Sequence, residues 1–221
     1  MQDSLKLLAV DTALGACSVA LVAGDMVLAH RFSVMERGHA EALAPMVADA
    51  MQGFDFASLD RLAVSVGPGT FTGQRVGLAF MRGLRLALKR PLIGVTTLEV
   101  IAAAAEAETG LRRAAAIHDA RRAEAYLLLR ENGVVVQEPV VMPFADAIER
   151  IRKFGPCALG GTGASAAADA LGDGFPLSTI RQPDALWVAR LALPRAAPDA
   201  APGPLYLRAP DAKLPGGRSL A

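Results

Sequence analysis

LKLLAVDTALGACSVALVAGDMVLAHRF, residues 5–32, is the stretch from which the fold can be read. Leu5–Val10 is an apolar run of strand length that ends in the polar pair Asp11-Thr12, with Gly15 just beyond. Cys17–Ala23 and Met26–Phe32 follow, two β-like runs joined by Gly24-Asp25, which is hairpin chemistry. The same order returns later. Ala114–Ile117 ends at His118-Asp119, and Ala125–Arg130 and Val134–Val141 flank Asn132-Gly133. Asp11 precedes Gly24 by thirteen residues, and Asp119 precedes Asn132 by thirteen (24 − 11 and 132 − 119). Each unit continues as helix, strand, glycine loop and helix. Two unrelated hairpins could share a spacing, but a duplicated α/β unit explains the whole order. The expected division is 1–109 and 110–221.

Between the repeats the elements follow from periodicity and punctuation. Helices are expected over Gly38–Met51, Thr72–Leu88, Thr97–Glu108, Pro143–Lys153 and Pro183–Leu193, with strands at Arg61–Val66, Leu92–Val95 and Cys157–Leu159. Ala196–Pro204 reads as a linker or an extended cover, Leu205-Tyr206-Leu207 as a short docking element, and the final Pro-Gly-Gly-Arg as frayed. Of the 221 residues, 52% are hydrophobic and 20% charged, with a net charge of +1. No global field steers such a chain to nucleic acid or a membrane, so any polyanion contact must be local. Cys17 and Cys157 lack metal-ligand spacing and read as small hydrophobes in a reducing compartment. The uncharged stretch Thr12–Gly24 is too short for a transmembrane helix. A cytoplasmic chain is expected.

The motif carrying most information is Gly67-Pro-Gly-Thr-Phe-Thr-Gly73-Gln-Arg75. Glycines between a strand and a helix can admit a phosphate, or can let two backbones pack, with Thr70 or Thr72 as N-cap. It lacks the Lys-Ser/Thr of a Walker A loop. Gly160-Gly161-Thr162-Gly163 is equally ambiguous. Asp11 and Asp119 would suit a metal or a water, and also suit turn capping. His30, His39 and His118 form no ligand or triad spacing. Arg82, Arg85, Lys89 and Arg90 complement a helix C-terminus, and Arg112-Arg113 with Arg121-Arg122 bracket one strand as a small basic patch.

The first-half helices are apolar around most of their girth. Leu43, Met46, Val47 and Ala50 make one stripe, and Val76, Phe80, Gly83, Leu84 and Ala87 another, while Leu78, Met81 and Leu88 lie off it. Gly73 and Gly77, four apart, would let another helix come close. One side must face the chain's own sheet and another can face a partner. The partner-binding residues expected on this reading are Leu43, Met46, Val47, Gly77, Leu78 and Met81.

Leu8-Ala-Val-Asp-Thr-Ala13, Ala16-Cys-Ser-Val-Ala-Leu21, Gly38-His-Ala-Glu-Ala-Leu43, Val66-Gly-Pro-Gly-Thr-Phe-Thr-Gly-Gln-Arg-Val-Gly77, Asp119-Ala-Arg-Arg-Ala-Glu-Ala-Tyr126 and Pro204-Leu-Tyr-Leu-Arg208 together resemble the TsaB (YeaZ) family. Thr70 and Gln74 are mild variants of its pattern. The resemblance spans nearly the whole chain. It implies two duplicated actin-like, Hsp70-like (ASKHA, ribonuclease H-like) lobes. It also implies a non-catalytic subunit that supports TsaD and works with TsaE and TsaC to form N6-threonylcarbamoyladenosine at position 37 of tRNAs reading codons that begin with A. A heterodimer with TsaD and a homodimer in its absence are expected, with ATP used by the complex and tRNA contact by the basic patch or through the complex. The metal motif of TsaD would fall at Thr97 and Ile101, neither a competent ligand, so no metal is expected. Asp11, Gly67, Gly69, Gly73, Gly160 and Gly161 would then be vestiges of nucleotide loops. The rival readings are a glycoprotease-like metallopeptidase and a kinase-like ATPase, for which no ligand or nucleophile set is visible.

Overall fold

A computed structural model describes residues 4–208, so the expectation for the final Pro-Gly-Gly-Arg lies outside the described residues. The first sheet is built from β1 (Lys6–Asp11), β2 (Ala16–Ala23), β3 (Met26–Val34), β4 (Arg61–Ser65) and β5 (Leu92–Val95), in the order β3-β2-β1-β4-β5. The β1–β2–β3 meander is antiparallel, and β4 and β5 add in parallel. The second sheet runs β8-β7-β6-β9, from β6 (Arg113–Arg121), β7 (Glu124–Glu131), β8 (Val134–Pro143) and β9 (Ala158–Gly160). Again two antiparallel pairings precede a parallel one. The repeat read from the Asp-to-turn spacing is therefore the repeat of the architecture, and the mixed α/β class is as expected.

The alternation of side chains along the strands assigns each sheet face. On the first sheet Leu8, Val10, Val19, Leu21, Leu62 and Val64 meet α1 (His39–Ala50) and α2 (Phe71–Leu88). The opposite residues, Leu7, Ala9, Ala20, Val22 and Ala63, meet α6 (Ala185–Ala192) through Val188, Ala189 and Ala192. On the second sheet Ala115, Ile117, Leu127 and Leu129 face α4 (Phe144–Phe154) and α5 (Ala164–Leu171). Its other face, Ala114, Ala116, Leu128 and Ala158, packs on α3 (Thr97–Thr109) through Leu98, Ile101, Ala102 and Ala105. Val100 of α3 belongs instead to the core beneath α6. Small residues on both sides bring α3 close to the second sheet.

After α6 the chain crosses the first sheet as an extended strap held mainly by side chains. The Arg61 guanidinium donates to the carbonyls of Leu193 and Arg195 at 3.1 and 2.7 Å. Arg195 donates to both oxygens of Glu99 at 2.6 Å and to the Gly94 carbonyl at 2.9 Å. The Leu205 N–H donates to the Val66 carbonyl at 2.7 Å, which is the docking foreseen for that segment, made without a strand. A cavity of about 310 Å³ remains between the strap and Val66, Ile93 and Gly94.

Candidate functional site: the glycine loops and the paired helices

Asp11 ends β1 fully buried. Its carboxyl accepts the Ser65 hydroxyl and, at 3.4 Å, the Ala13 N–H. Burial raises its pKa to about 7, against the pull of those donors, and the charge of Asp184 adds to the rise. The Thr12 hydroxyl donates to the Gly73 carbonyl at 2.7 Å and accepts the Gly77 N–H at 3.0 Å, pinning α2 to this corner. Asp119, by contrast, is exposed and caps its own turn by accepting the Arg121 N–H at 2.7 Å.

The glycine loops are packed against backbone. A Cβ on Gly69 would stand 2.2 Å from the Ala13 carbonyl oxygen, and one on Gly73 2.3 Å from that of Thr12. Gly67, at φ 108°, presses on the Gln74 amide, where a Cβ would meet Oε1 at 2.6 Å. Two of the loop's N–H groups are used internally: Thr70 donates to Ala13 at 2.9 Å, and Gly73 to the Thr70 hydroxyl at 3.1 Å. Thr70, and not Thr72, is the N-cap. The glycines of this loop serve close packing against the Thr12-Ala13 backbone. The second loop repeats it. A Cβ on Gly160 would lie 2.9 Å from Ile101 Cγ2, and one on Gly161 2.4 Å from the Ile117 carbonyl oxygen. Gly161 and Gly163 donate to Ile180 and Ile117 at 2.8 and 3.0 Å. The Gln182 amide takes the Gly15 N–H at 2.9 Å, and Leu14 is buried against the α3 core.

Thr97 and Ile101 are both fully buried, Ile101 within the apolar layer under the second sheet. Among the described residues no three His, Cys, Asp or Glu side chains gather as a metal set. The histidines are occupied structurally. His30 Nε2 lies 2.7 Å from Asp184, the N-cap of α6, and His39 Nε2 donates to the Leu14 carbonyl at 2.9 Å. Burial pushes His118 down to about 4, against the opposing charge of Asp119.

Two expectations are corrected. The first concerns the partner residues. Leu43, Val47, Leu78 and Met81 are at most 3% exposed, and Gly77 is buried, all within the chain's own core. Gly77 faces Thr12, Val64 and Val10, so the Gly73–Gly77 pair admits the first lobe's own loop and sheet, not a second helix. Of the six, only Met46 stays half-exposed. The outward stripe is Val76, Phe80 and Leu84, all half-buried, flanked by exposed Ala79, Gly83, Leu86 and Ala87 and by Ala42 and Met46 on α1. The second concerns the arginines. Arg112-Arg113 and Arg121-Arg122 stand at opposite ends of β6, roughly 25 Å apart, so they are not one patch. Arg82 and Arg85, read as dipole partners, instead hold the strap carbonyls of Pro202 (2.6 and 3.2 Å) and Asp199 (3.1 Å). Arg75 lies over the Phe71 ring at 3.4 Å and donates to the Tyr206 hydroxyl at 2.9 Å. No sequence signal marked these anchors, because their acceptors are mostly backbone carbonyls.

The family model for TsaD, tRNA N6-adenosine threonylcarbamoyltransferase, matches residues 31–176. The chain is 41% identical over 124 residues to the tRNA threonylcarbamoyladenosine biosynthesis protein TsaB of Escherichia coli, a match covering 55% of this chain and 53% of that protein. It is 31% identical over 156 residues to the Bacillus subtilis protein of the same name, covering 67% of each. Among solved structures, YeaZ from Pseudomonas aeruginosa superposes with a TM-score of 0.75 at 32% identity, over 85% of this chain and 90% of that one. The chain belongs to the TsaB (YeaZ) family. The match thus spans about half the length of the first of these curated relatives and two thirds of the second. In this TsaB-family chain the first glycine loop packs closely on the Thr12-Ala13 backbone, while one apolar stripe on α1 and α2 faces outward. Among the described residues no helix is long and apolar enough to cross a membrane.

Proposed function

We propose that this chain is the non-catalytic subunit of the system that makes N6-threonylcarbamoyladenosine at position 37 of tRNA, supporting a catalytic TsaD-type subunit alongside TsaE and TsaC. The names of its relatives give the process. The observation that carries the subunit role is the outward stripe Val76–Phe80–Leu84 with Met46 beside it, apolar area on two packed helices that the chain itself covers only in part. Closely packed glycine loops support the non-catalytic reading, because several of their N–H donors are already committed. TsaD, having a related fold, would pair its own helices with this stripe; alone, the chain would pair with itself about a two-fold axis. Co-purification with TsaD and a reconstituted modification assay test this. Failure to associate, together with full modification in the chain's absence, overturns it. The ATPase alternative makes a separate demand: stoichiometric heat on titrating the isolated chain with ATP and Mg²⁺.

A further inference from the structure

Phe71 on α2 and Tyr206 at the end of the strap are 56% and 45% exposed, and neither belongs to a hydrophobic core. Their rings lie nearly parallel, with centroids 6.1 Å apart and 22° between the planes. The Arg75 guanidinium stands 3.4 Å from the Phe71 centroid and 5.9 Å from that of Tyr206. Its Nε donates to the Tyr206 hydroxyl at 2.9 Å, and among the described residues no acceptor takes its Nη groups. Two flat π surfaces and a held cation are thus presented together at the surface. The charge around them is one-sided. From 61 to 98 the sequence carries six cationic side chains and no carboxylate. Arg75, Arg82 and Lys89, seven apart, step along one face of α2 by about 10 Å each time, with Arg85 beside them. Arg82 and Arg85 donate to neutral strap carbonyls, which leave their charge in place. Among the described residues none of these four cations has an ion pair, and the nearby strap carboxylate of Asp199 pairs with none of them.

We propose that this face of α2 seats unpaired RNA, with a base stacked on the Phe71–Tyr206 pair and phosphates following the helix cations. Resting on the function proposed above, it is where this chain touches the tRNA being modified. Aromatic rings accept the flat face of any base, and a row of cations tracks the backbone without reading sequence. The base must be unpaired, because in a duplex its flat faces are already stacked. A protein partner fits less well, since interface cores are depleted in charge and this stack is ringed by cations. Val76, Phe80 and Leu84 lie about a quarter to half a turn round α2 from Arg75, so RNA and TsaD have separate faces of one helix.

The test uses the full chain assembled with TsaD, with a fluorescently labelled tRNA transcript followed by anisotropy across a salt series, and co-elution to read TsaD association. Phe71→Ala with Tyr206→Ala should weaken RNA binding about tenfold at every salt concentration, with the salt slope and TsaD co-elution kept. Arg75→Ala with Lys89→Ala should instead flatten the slope by about 1 to 2. Phe71→Trp, which enlarges the flat face, should bind at least as tightly as the parent. Arg150→Ala, on α4, should leave both affinity and slope unchanged. If the aromatic pair of substitutions leaves affinity at the parent's value, or the parent complex does not bind RNA, the proposal falls. It falls equally if that pair loses TsaD while RNA binding persists, since the stack is then a protein contact. A parent that does not co-elute with TsaD fails the earlier reading instead, and the same titrations on the chain alone then decide this site.

Discussion

Asp11 ends β1 and His118 lies in the last half of β6, and burial pushes their pKa values in opposite directions. Asp11 holds its proton more tightly folded, at about 7, than at its ordinary 3.8. Its stabilising contribution is therefore full below 3.8 and lost as pH rises through about 7. His118 falls from 6.5 to about 4. Its contribution is present above 6.5 and lost as pH falls through about 4. Between about 4 and 6.5 the two slopes oppose each other. Asp11→Asn keeps a hydrogen-bonding partner for Ser65 and removes one slope. The variant should exceed the parent in stability above pH 7, by up to about 4 kcal/mol, and that advantage should vanish on acidification toward 3.8. Urea midpoints across this range for both proteins check the sign; an advantage that grows on acidification would refute it. The sequence identified Asp11 and Asp119 as equivalent positions. It could not say that one is buried and the other exposed, because that depends on the Ser65 and α6 neighbours that close over Asp11.

The pairing of α1 with α2 was legible as two helices apolar all round, but not which stripe faced inward. Both stripes are apolar, and periodicity alone does not rank them. The glycines did carry the information, since a missing side chain marks the side of closest approach, and here that side is the sheet. Phe80→Asp and Met81→Asp are adjacent substitutions that separate the two faces. Phe80→Asp should leave a folded chain that no longer co-elutes with TsaD. Met81→Asp places a carboxylate in the core and should cost on the order of 5 kcal/mol of stability, read as a collapse of the thermal transition. If Phe80→Asp unfolds the chain as Met81→Asp does, or binds TsaD normally, the outward stripe is misassigned. Gly83 lies mid-helix, and a Cβ added there would meet nothing within 4 Å. Gly83→Ala should therefore stabilise the isolated chain by about 0.5–1 kcal/mol.

Across the whole molecule, the duplication was readable because it rests on local spacing, whereas the strap was not. Its anchors join residues about a hundred positions apart, and a carbonyl acceptor leaves no trace in residue type. The Arg195–Glu99 pair is the anchor with most at stake, since the Glu99 side chain is only 11% exposed. Arg195→Ala strands that carboxylate and should lower stability by about 2 kcal/mol, measured by denaturant unfolding; a change within error would show the strap to be dispensable. The placement of α3 has a wider effect. One helix supplies Val100 to the core under α6 and Ile101 to the layer under the second sheet, so the two cores share one element. What began as two copies of one unit has lost its divisibility. A gene cut between residues 109 and 110 should yield halves that are insoluble apart and recover only when expressed together, and calorimetry of the intact chain should find a single transition.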